Sequence, residues 1–410
     1  MLFLYNFMVI LASQLLKLWA FFIPKVKLFV DGRKNVFEIL RSKINLQDKT
    51  IWFHAASLGE YEQGLPVMEK IKERFPSHKI VLTFFSPSGY EVRKKNTIAD
   101  VTVYLPLDTK TNAKEFVATV HPELVFFIKY EYWPNYLNEL KNAEIKTYLI
   151  SGILRENQAF FKWYGGFYRN ALKTFDYFFV QNESSKKLLQ SLGHQNVKIS
   201  GDTRFDRVVS ILQRDNSLHF IEDFKDKKKL VVIGSSWPKD ESLLVNFINQ
   251  ADENVKFIIA PHIIKAEQIA ELKNAITKKV VLFSEMENEY LATFQVFIID
   301  TIGILTKIYS YADIAYVGGG FVKKGLHNIL EPATFGIPIL IGPEFSNFAE
   351  VKALVNLEGC ISINNQAELN NALTNLLLNE DIRYEKGHIC ETFVQMNKGA
   401  TDIILSYLES

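Results

Sequence analysis

The sequence has few of the residues that build disulfide-rich or metal-binding proteins. Its 410 residues include two cysteines, Cys360 and Cys390, and eight histidines without ligand spacing. Two cysteines cannot form a disulfide framework or a zinc site; they form one bridge at most, and they suit a reducing compartment. No Asp-x-Asp pair is present to hold a cation against a pyrophosphate. We therefore expect neither a metal nor another cofactor.

The sequence also lacks a charge excess and the common nucleotide-binding fingerprints. Its 47 Lys and Arg residues balance 46 Asp and Glu residues, which leaves a formal net charge of +1. A chain this balanced gives no reason to expect nucleic acid as a partner. Its glycine-rich stretch contains neither Gly-Lys-Ser/Thr nor G-x-G-x-x-G, which argues against a Walker loop and against a nicotinamide site.

One long apolar run is present, at the N-terminus. Residues 2–23 read LFLYNFMVILASQLLKLWAFFI, which is long enough to cross a bilayer as a helix. Lys17 would be costly at mid-membrane, which argues against a simple spanning helix. Three placements are therefore considered: the segment spans the bilayer, lies on it or is buried in the protein. Residues 1–50 carry eight Lys or Arg against three Asp or Glu, which suits an anionic cytoplasmic leaflet. We expect a membrane anchor over residues 1–30 rather than a signal peptide, because the positive charges follow the apolar run.

The rest of the chain alternates short apolar runs with amphipathic stretches, in two series. With 410 residues it is too long for one ordinary core. Strand–helix alternation with little Gly or Pro punctuation predicts parallel sheets covered on both faces. The predicted strands are 51–55, 80–85, 101–105, 124–128, 146–150 and 177–180 in the first series, and 230–234, 256–260, 280–283, 296–299, 314–317 and 337–341 in the second.

We therefore expect an α/β protein with two Rossmann-like, doubly wound domains. The first covers residues 31–205 and the second residues 229–410. A linker over residues 206–228 contains most of the charged run DFKDKKK. In open parallel sheets, ligands collect outside the carboxyl ends of the strands, so the loops that follow the predicted strands are the candidate site.

Consecutive glycines follow one of these strands: Gly318, Gly319 and Gly320. Glycines let a backbone approach a ligand closely, and unpaired amides at the start of a helix bind anions. Polar residues follow at helical spacing: His327, Asn328 and Glu331. The pattern predicts a bound phosphate or nucleotide, with Glu331 accepting hydrogen bonds from ribose hydroxyls. The alternative is a tight turn without a ligand, followed by an ordinary exposed helical glutamate.

A second loop delivers a carboxylate. The stretch IWFHAASLGEYE, residues 51–62, runs from an apolar strand through small residues to a helix start. Gly59 is expected to permit the turn. Glu60 then either caps the helix in its first turn or takes a proton from a substrate.

Taken together, these blocks resemble the 3-deoxy-D-manno-oct-2-ulosonic acid (Kdo) transferases of lipopolysaccharide assembly, over nearly the whole chain. The resemblance rests on the apolar N-terminus and on the blocks HAASLGE (54–60), EYWPN (131–135), GDTRFD (201–206), GSSW (234–237), DT-G (300–303) and GGGFVKKGLHNILEPATFGIPILIGPEFSNF (318–348). That family is similar to glycosyltransferases of the twin-Rossmann GT-B type. The resemblance thus implies a GT-B fold with an N-terminal anchor helix.

The family's activity is then expected here. The resemblance implies an inverting, metal-independent enzyme that moves Kdo from CMP-Kdo to a lipid A precursor, lipid IVA, at the cytoplasmic face of the inner membrane. The first domain would bind the acceptor and the second the CMP-sugar. An oxocarbenium-like transition state needs a carboxylate to take the acceptor's proton and a positive pocket for the departing phosphate.

The resemblance also implies residue roles. Glu60 matches the general base, facing a gap between the two domains. Glu131 matches a second acidic position, which binds the acceptor or orients the surroundings of Glu60; its alternative is a structural carboxylate. The donor-binding residues implied are Ser57, Gly59, Ser235, Ser236, His262, Gly318, Gly319, Gly320, His327, Asn328, Glu331 and Asn347. For the serines of the GSSW block and for Asn347, helix capping is the alternative.

Two positions depart from the family's pattern. Lys129 stands where many members carry an acid, and the arginine usually found just before His262 is absent. An arginine there would grip a phosphate or carboxylate bidentately. Either its role passes to another group, with Arg204, Lys323 and Lys324 as candidates, or the cytidine is held differently.

Two further functions remain open from the sequence. One is a twin-Rossmann transferase or epimerase acting on a UDP-sugar, and the other is a nucleotide-binding scaffold without turnover. No motif sets the number of Kdo units added or the oligomeric state.

Overall fold

The computed structural model describes residues 2–323 and 325–408. Within them the chain divides into two α/β units. Unit 1 comprises the residues up to Arg207 together with those from Lys398 onward, and unit 2 comprises Val208–Asn397. The second residue of the charged pair Lys323–Lys324 lies outside the described residues.

Unit 1 is built on a single parallel sheet. Its strands are β1 (Thr50–Ala55), β2 (Lys79–Phe84), β3 (Val101–Tyr104), β4 (Pro122–Ile128), β5 (Lys146–Gly152), β6 (Tyr177–Val180) and β7 (Val197–Ile199). Its helices are α1 (Leu2–Trp19), α2 (Pro24–Asp31), α3 (Val36–Lys43), α4 (Leu58–Arg74), α5 (Pro87–Arg93), α6 (Lys110–Val120), α7 (Pro134–Asn142), α8 (Gly166–Leu172), α9 (Glu183–Ser191) and α10 (Arg204–Val209), which runs into unit 2. The strand order is β3-β2-β1-β4-β5-β6-β7.

Unit 2 repeats this architecture. Its strands are β8 (Lys229–Ser236), β9 (Val255–Pro261), β10 (Val280–Leu282), β11 (Val296–Ile298), β12 (Ile314–Val317), β13 (Ile339–Ile341) and β14 (Cys360–Ser362). Its helices are α11 (His219–Lys225), α12 (Pro238–Gln250), α13 (Ala266–Ala275), α14 (Leu305–Tyr309), α15 (Leu330–Thr334), α16 (Ala349–Asn356), α17 (Gln366–Leu378) and α18 (Glu380–Asn397). The parallel strands are ordered β10-β11-β9-β8-β12-β13-β14. A last helix, α19 (Ala400–Tyr407), belongs to unit 1.

The central strands are apolar along their whole length because both faces of each sheet are covered. In β1, Trp52 packs in one core, while Ile51 and Phe53 pack in another. All six β1 residues are buried. Parallel sheets enclosed in this way carry continuous rather than alternating apolar runs, which is the pattern that the sequence showed.

The predicted fold class of two doubly wound parallel-sheet domains is confirmed. Each predicted strand is present, with ends within two residues of those observed. Two strands were missed, β7 and β14. Both have three residues and lie at a sheet edge, so each carries too few buried positions to give a clear apolar run.

The C-terminal residues pack differently from the expectation that residues 229–410 form one domain. Helix α19 lies against α4 in unit 1. Residues 206–228, expected to be a linker, include α11, which packs into unit 2 through the buried Phe224. The sequence shows that these helices have an apolar face, but it does not say which sheet that face covers.

The carboxylate of Asp206 fastens the C-terminal segment to unit 1. It accepts hydrogen bonds from the Gly399 amide at 2.5 Å, the Thr401 amide at 2.7 Å and the Thr401 hydroxyl at 2.7 Å. Asp206 therefore supplies the negative charge and the acceptor atoms that the start of α19 needs.

We predict that Asp206→Ala destabilises the protein by about 1–3 kcal/mol, because two amides at the start of α19 and one hydroxyl lose a charged acceptor. Urea unfolding should show the loss, and limited proteolysis should cut near residue 398 faster. Asp402→Ala, at an exposed carboxylate in the same helix, is the matched control and should change little. Equal stability of the two variants would contradict this role of Asp206.

Candidate functional site

The candidate residues lie where each sheet changes its winding direction. In unit 1, β1 and β4 are neighbours, although they are not consecutive along the chain; in unit 2, β8 and β12 are. Loops that follow such a pair leave in opposite directions and open a crevice at the carboxyl edge, where ligands of doubly wound folds bind. Glu60 follows β1 and Glu131 follows β4, while the GSSW block ends β8 and the glycine loop follows β12.

Glu60 is the third residue of α4 and is buried, with 6% of its surface exposed. The Ser57 hydroxyl donates to its carboxylate, and the Tyr130 hydroxyl hydrogen-bonds it from the loop after β4. Ser57 is the N-cap residue, yet its side chain makes no capping bond. The described hydrogen bonds of Glu60 are thus with two side-chain hydroxyls, an arrangement suited to orienting a carboxylate.

Tyr130 lies between the two acidic residues of the site. Burial, and then the negative charges of Glu60 and Glu131, raise its pKa, while Arg155 opposes the shift. The hydroxyl therefore keeps its proton at neutral pH and can donate. The preceding residue, Lys129, has φ of +73°, a conformation that costs free energy in a non-glycine residue and is concentrated at functional sites.

Glu131 is held by aromatic neighbours. It is 8% exposed, accepts a 2.9 Å hydrogen bond from Trp133 Nε1, and lies 3.4 Å from His54 Nε2. Trp133 Nε1 also lies 3.0 Å from His54 Nε2. The carboxylate and the imidazole therefore share one indole N–H, and the three groups form a connected cluster.

The His54 ring is fully buried and is fixed from behind. Its Nδ1 lies 2.8 Å from Thr83 Oγ1, which also accepts a 2.8 Å hydrogen bond from Trp52 Nε1. Because Thr83 Oγ1 can in turn donate to the Phe53 carbonyl, the network assigns the His54 proton to Nδ1. Sequence reasoning quoted His54 within its motif but gave it no role. The feature that could have indicated a role is a histidine within a strand whose residues are all buried.

Gly59 is not where the turn is made. It is the second residue of α4, it is exposed, and a Cβ built there would meet one atom, Ser57 Oγ, at 3.8 Å. The expectation that Gly59 is needed for the turn is therefore wrong. The turn is made by Ser57, whose extended backbone precedes the helix.

The GDTRFD block packs beside α4. Asp202 is buried and accepts from Gln63 Nε2 at 2.9 Å and from Arg204 Nη2 at 2.7 Å. Burial acts to raise the pKa of Asp202, but the charge and hydrogen bonds of Arg204 outweigh it, so the pKa is lowered. Arg204, one candidate for the missing arginine's role, is thus already engaged with a carboxylate.

In unit 2, two amides of the glycine loop are already hydrogen-bonded within the protein. The Gly319 amide donates to Asp240 Oδ2 at 2.8 Å, and the Gly318 amide donates to the Gly234 carbonyl at 2.9 Å. Asp240 is fully buried and also accepts from the Trp237 amide at 2.9 Å and the Tyr316 hydroxyl at 2.7 Å. Part of the expected anion cradle is therefore filled by the chain's own carboxylate.

The three glycines are explained by contact between backbones. A Cβ on Gly318 would lie 2.3 Å from the Ser235 carbonyl oxygen, one on Gly319 would lie 2.0 Å from the Gly325 carbonyl oxygen, and one on Gly320 would lie 2.5 Å from the Gly342 amide nitrogen. Gly319 also has φ of +88°. The loop thus needs glycine in order to pack, whatever it binds.

The expected helical spacing of His327, Asn328 and Glu331 is wrong. Helix α15 begins at Leu330, so His327 and Asn328 lie in the loop before it, and α15 has only five residues. Asn328 Oδ1 accepts from the Leu330 amide at 3.1 Å, and Glu331 accepts from Asn328 Nδ2 at 3.3 Å and Thr306 Oγ1 at 2.7 Å. Where a helix was expected, the Val322 amide donates to the Gly319 carbonyl at 3.1 Å and the Gly325 amide to the Val322 carbonyl at 2.9 Å, which are turns.

His262 and His327 are brought together nevertheless. The ring of His262 stacks on Trp237 with centroids 4.8 Å apart and an interplanar angle of 17°, and it lies 4.4 Å from the His327 ring. Trp237 Nε1 lies 3.4 Å from His327 Nε2. Burial, and then the neighbouring His262, lower the pKa of His327 to about 4. The three rings form an aromatic cluster, and nucleobases stack on such surfaces.

The two serines of the GSSW block differ in their environments. Ser235 has φ of +54° at an irregularity in the pairing of β8 with β9, a feature frequent beside active sites. Ser236 is buried, and its hydroxyl donates to Glu241 at 2.7 Å. Neither serine is an N-cap, because α12 is capped at Trp237.

Asn347 does not cap α16 either, since the N-cap of that helix is Phe348. Asn347 is exposed in the loop after β13. Lys323 is also exposed.

Each unit carries one group of candidate residues, which we call its half-site. Unit 1 has the buried Glu60 carboxylate, held by hydroxyls, and a second carboxylate, Glu131, which also interacts with Tyr130. Unit 2 has an aromatic cluster beside a rigid glycine loop. A carboxylate of the first kind can accept a proton. An aromatic cluster of the second kind can hold a base.

Comparison with known proteins identifies relatives of this chain. Residues 33–207 match the family model described as 3-deoxy-D-manno-octulosonic-acid transferase (kdotransferase). The chain is 28% identical over 376 residues to the 3-deoxy-D-manno-octulosonic acid transferase of Chlamydia trachomatis, covering 88% of this chain and 86% of the relative. It is 28% identical over 349 residues to that of Aquifex aeolicus, covering 82% and 88%.

Solved structures show the same fold at lower identity. The UDP-GlcNAc 2-epimerase from Neisseria meningitidis superposes with a TM-score of 0.61 at 14% identity, covering 88% of this chain and 99% of that one. Acinetobacter baumannii MurG gives 0.55 at 13% identity, covering 88% and 99%. At these identities the likeness establishes the fold alone, which is the GT-B type.

We predict that Asp240→Asn destabilises unit 2 by about 1–3 kcal/mol, because an amide cannot accept all three of the hydrogen bonds that the carboxylate accepts. Hydrogen exchange of the Gly319 amide should accelerate, and the urea midpoint should fall. Asp381→Asn, at an exposed first-turn aspartate of α18, is the control. An unchanged Gly319 exchange rate would show that Asp240 does not hold the loop.

Proposed function

Because the chain belongs to the family of 3-deoxy-D-manno-octulosonic acid transferases, and is thus a glycosyltransferase, we propose that it transfers Kdo from CMP-Kdo to a lipid A precursor during lipopolysaccharide assembly. The observation that carries the proposal is the buried Glu60 carboxylate at the carboxyl edge of unit 1, in a family-matched segment, hydrogen-bonded by hydroxyls. The proposed acceptor is lipid IVA, and the proposed reaction inverts the anomeric centre.

Glu60 serves as the general base in this proposal. An acceptor hydroxyl attacks the anomeric carbon of Kdo as the bond from that carbon to the CMP phosphate breaks, and Glu60 takes the hydroxyl proton. The bond electrons leave with CMP. Ser57 and Tyr130 fix the carboxylate's direction, which reduces the reorganisation needed in the transition state.

Glu131 serves beside it as a fixed negative charge. Trp133 and His54 hold its position, and His54 is itself braced by Thr83. A carboxylate held rigidly near an oxocarbenium-like centre stabilises the developing positive charge. His54 acts through Glu131 and is a positioning residue.

Unit 2 provides the donor site in this proposal. The cytosine stacks on the cluster of Trp237, His262 and His327, and Ser235 and the glycine loop approach the phosphate. Glu331 and Asn328 are already hydrogen-bonded to each other and can accept or donate to ribose hydroxyls. With Gly319 engaged by Asp240, the remaining loop amides and Lys323 supply the phosphate contacts.

The N-terminal helix attaches the enzyme to the membrane surface. Leu2–Trp19 is long and apolar enough to span a bilayer, judged by length and composition. However, Tyr5 donates to Asp108 at 2.7 Å, and Asn6 accepts from Asn135 at 2.8 Å. A spanning helix would have to give up both bonds. We therefore place α1 along the membrane plane, as a monotopic anchor.

The pattern of exposure along α1 agrees with this placement. One stripe is half-buried against unit 1: Tyr5, Asn6, Val9, Ser13 and Leu16. The rest of the helix is exposed and mostly apolar. The basic flank of the helix suits the anionic cytoplasmic leaflet of the inner membrane, and two free buried cysteines suit a reducing compartment.

Mass spectrometry tests the whole proposal. The protein is incubated with CMP-Kdo and lipid IVA, and the product should gain whole Kdo units; NMR of the new linkage should show inversion. Parallel incubations use UDP-sugars. Turnover of a UDP-sugar without Kdo transfer would overturn the proposal in favour of a UDP-sugar enzyme.

We predict that Glu60→Gln lowers kcat for Kdo transfer by at least about 100-fold, because the base is removed while the side-chain volume is kept. CMP affinity should stay within twofold, as measured by calorimetry. Glu73→Gln, at an exposed glutamate of the same helix, should keep full activity. Activity in Glu60→Gln equal to that of the control would exclude Glu60 as the base.

A separate prediction concerns membrane attachment. Phe21 and Phe22 are 83% and 84% exposed just after α1, and burying each ring in lipid contributes about 1.5–3 kcal/mol. Replacing both with Asp should release most of the protein from anionic vesicles in a co-sedimentation assay. Leu378→Asp, at a 78%-exposed residue of unit 2, should not. Equal sedimentation of both variants would argue against this anchor.

A further inference from the structure

A cavity of about 770 Å³ lies in unit 1, away from the two carboxylates. Its walls come from α1, α2 and the segment that leads into α6. Apolar side chains form much of the lining, among them Leu16, Phe21, Phe29 and Phe37. The size is that of ordinary ligand pockets, and a lining of this kind accepts a hydrocarbon chain.

The cavity lining carries more positive than negative charge. Four cations line it, namely Lys17, Lys27, Arg33 and Lys34, against a single acid, Asp31. Asp31 is already paired with Lys34 at 2.6 Å. The lining therefore has an excess of three positive charges, four minus one, beside an apolar wall.

Arg33 is the cation built most deeply into the wall. Its three nitrogens donate to backbone carbonyls, Nε to Leu105 at 2.9 Å, Nη1 to Phe29 at 2.8 Å and Nη2 to Phe85 at 2.6 Å. Its guanidinium also lies 3.6 Å from the centre of the Phe29 ring. Neighbouring Gly32 makes room, because a Cβ there would meet Tyr104 at 2.2 Å.

No carboxylate among the described residues forms an ion pair with Arg33. Burial lowers its pKa to about 9, so the side chain is still a cation at neutral pH. A guanidinium has five N–H donors, and three hydrogen bonds are formed to carbonyls. A buried cation without a counter-charge is costly, and an anionic group in the cavity would offset that cost.

Two aromatic rings connect Arg33, in the cavity lining, to the acidic half-site. Arg33 lies 5.1 Å from the centre of the Phe85 ring, and that ring lies 4.7 Å from the Trp133 ring. Trp133 in turn donates to Glu131. These contacts link Arg33, which lines the cavity, to the site at which an acceptor sugar would react. The exposed face of α1 gives the cavity a lipid-facing side.

We propose that this cavity binds the acceptor lipid itself, with Arg33 holding a phosphate and the apolar wall holding an acyl chain. The occupant is a phosphorylated, acylated glycolipid, which combines an anion, a hydrocarbon chain and a sugar in the arrangement that the unit presents. The identity of that lipid rests on the proposed function. Binding without transfer tests the cavity separately.

The first test removes the charge. Arg33→Gln should raise the KM for tetra-acylated disaccharide bisphosphate at least tenfold, with the KM for CMP-Kdo within twofold. Arg33→Lys should recover part of the loss. With dephosphorylated tetra-acylated disaccharide, wild type and Arg33→Gln should bind equally. An equal loss with both probes would mean that Arg33 only supports the fold and would overturn its phosphate role.

The second test fills the cavity without touching Arg33. Ala20→Trp should weaken equilibrium binding of the bisphosphorylated lipid at least tenfold, measured with no CMP-Kdo present, because Ala20 lines the cavity. Ala12→Trp adds the same ring at an exposed position of α1 and should bind as wild type. If Ala20→Trp binds the lipid as tightly as Ala12→Trp, the cavity is not the site.

Competition distinguishes the source of the lipid. Phosphatidylglycerol vesicles should displace the bisphosphorylated probe weakly, and equal displacement would assign the cavity to a bilayer phospholipid instead of the acceptor. Lipid binding that depends on Arg33 and Ala20 in a protein that transfers no Kdo would preserve the cavity and refute the proposed function. Circular dichroism of every variant identifies any that fail to fold, in which case the Ala20→Trp and Ala12→Trp pair decides.

Discussion

The parallel pairing of two non-consecutive strands at the centre of each sheet determines where chemistry can occur. In unit 1, β1 pairs with β4 in parallel, so the loops after both strands emerge at the same edge. Glu60 and Glu131 are 71 positions apart in sequence, and this pairing places both of them around Tyr130. The same pairing of β8 with β12 places Ser235 against Gly318. If either pair separated, its half-site would be lost, whatever residues it contained.

Buried polar groups make these edges rigid. Behind Glu131, a chain of hydrogen bonds runs from Trp133 through His54 to Thr83 and Trp52. Because these groups are buried, each must find a partner, and together they permit few alternative arrangements. The positive φ of Lys129 and of Ser235, each next to a half-site, is tolerated because the surrounding structure fixes the backbone.

Sequence reasoning located the sheets and the loops at their carboxyl edges, and it failed where side chains or backbones from distant segments meet. Continuous apolar runs revealed the buried strands because burial on both faces leaves a direct signature in sequence. The reason for the three glycines was misread, because glycine serves both for ligand approach and for backbone packing. The contacts of Gly319 with Gly325 and of Gly320 with Gly342 show that packing by itself requires glycine, and these contacts depend on tertiary structure. Arg33 was counted only among the eight Lys and Arg residues of positions 1–50, because its lack of a carboxylate partner among the described residues is a property of the folded unit.

A carboxylate at the start of a helix has different hydrogen-bond partners in the two units. Glu60 is the third residue of α4 and Asp240 the third residue of α12, and each helix follows the first strand of its sheet. Asp240 accepts hydrogen bonds from two backbone amides and a tyrosine hydroxyl, and it therefore holds the backbone of Trp237 and Gly319 in place. The hydrogen bonds described for Glu60 come from side-chain hydroxyls. Hydroxyl partners can rotate and exchange with a substrate's hydroxyl, whereas backbone amides cannot leave. The same position in the helix therefore serves structure in unit 2 and is suited to proton transfer in unit 1.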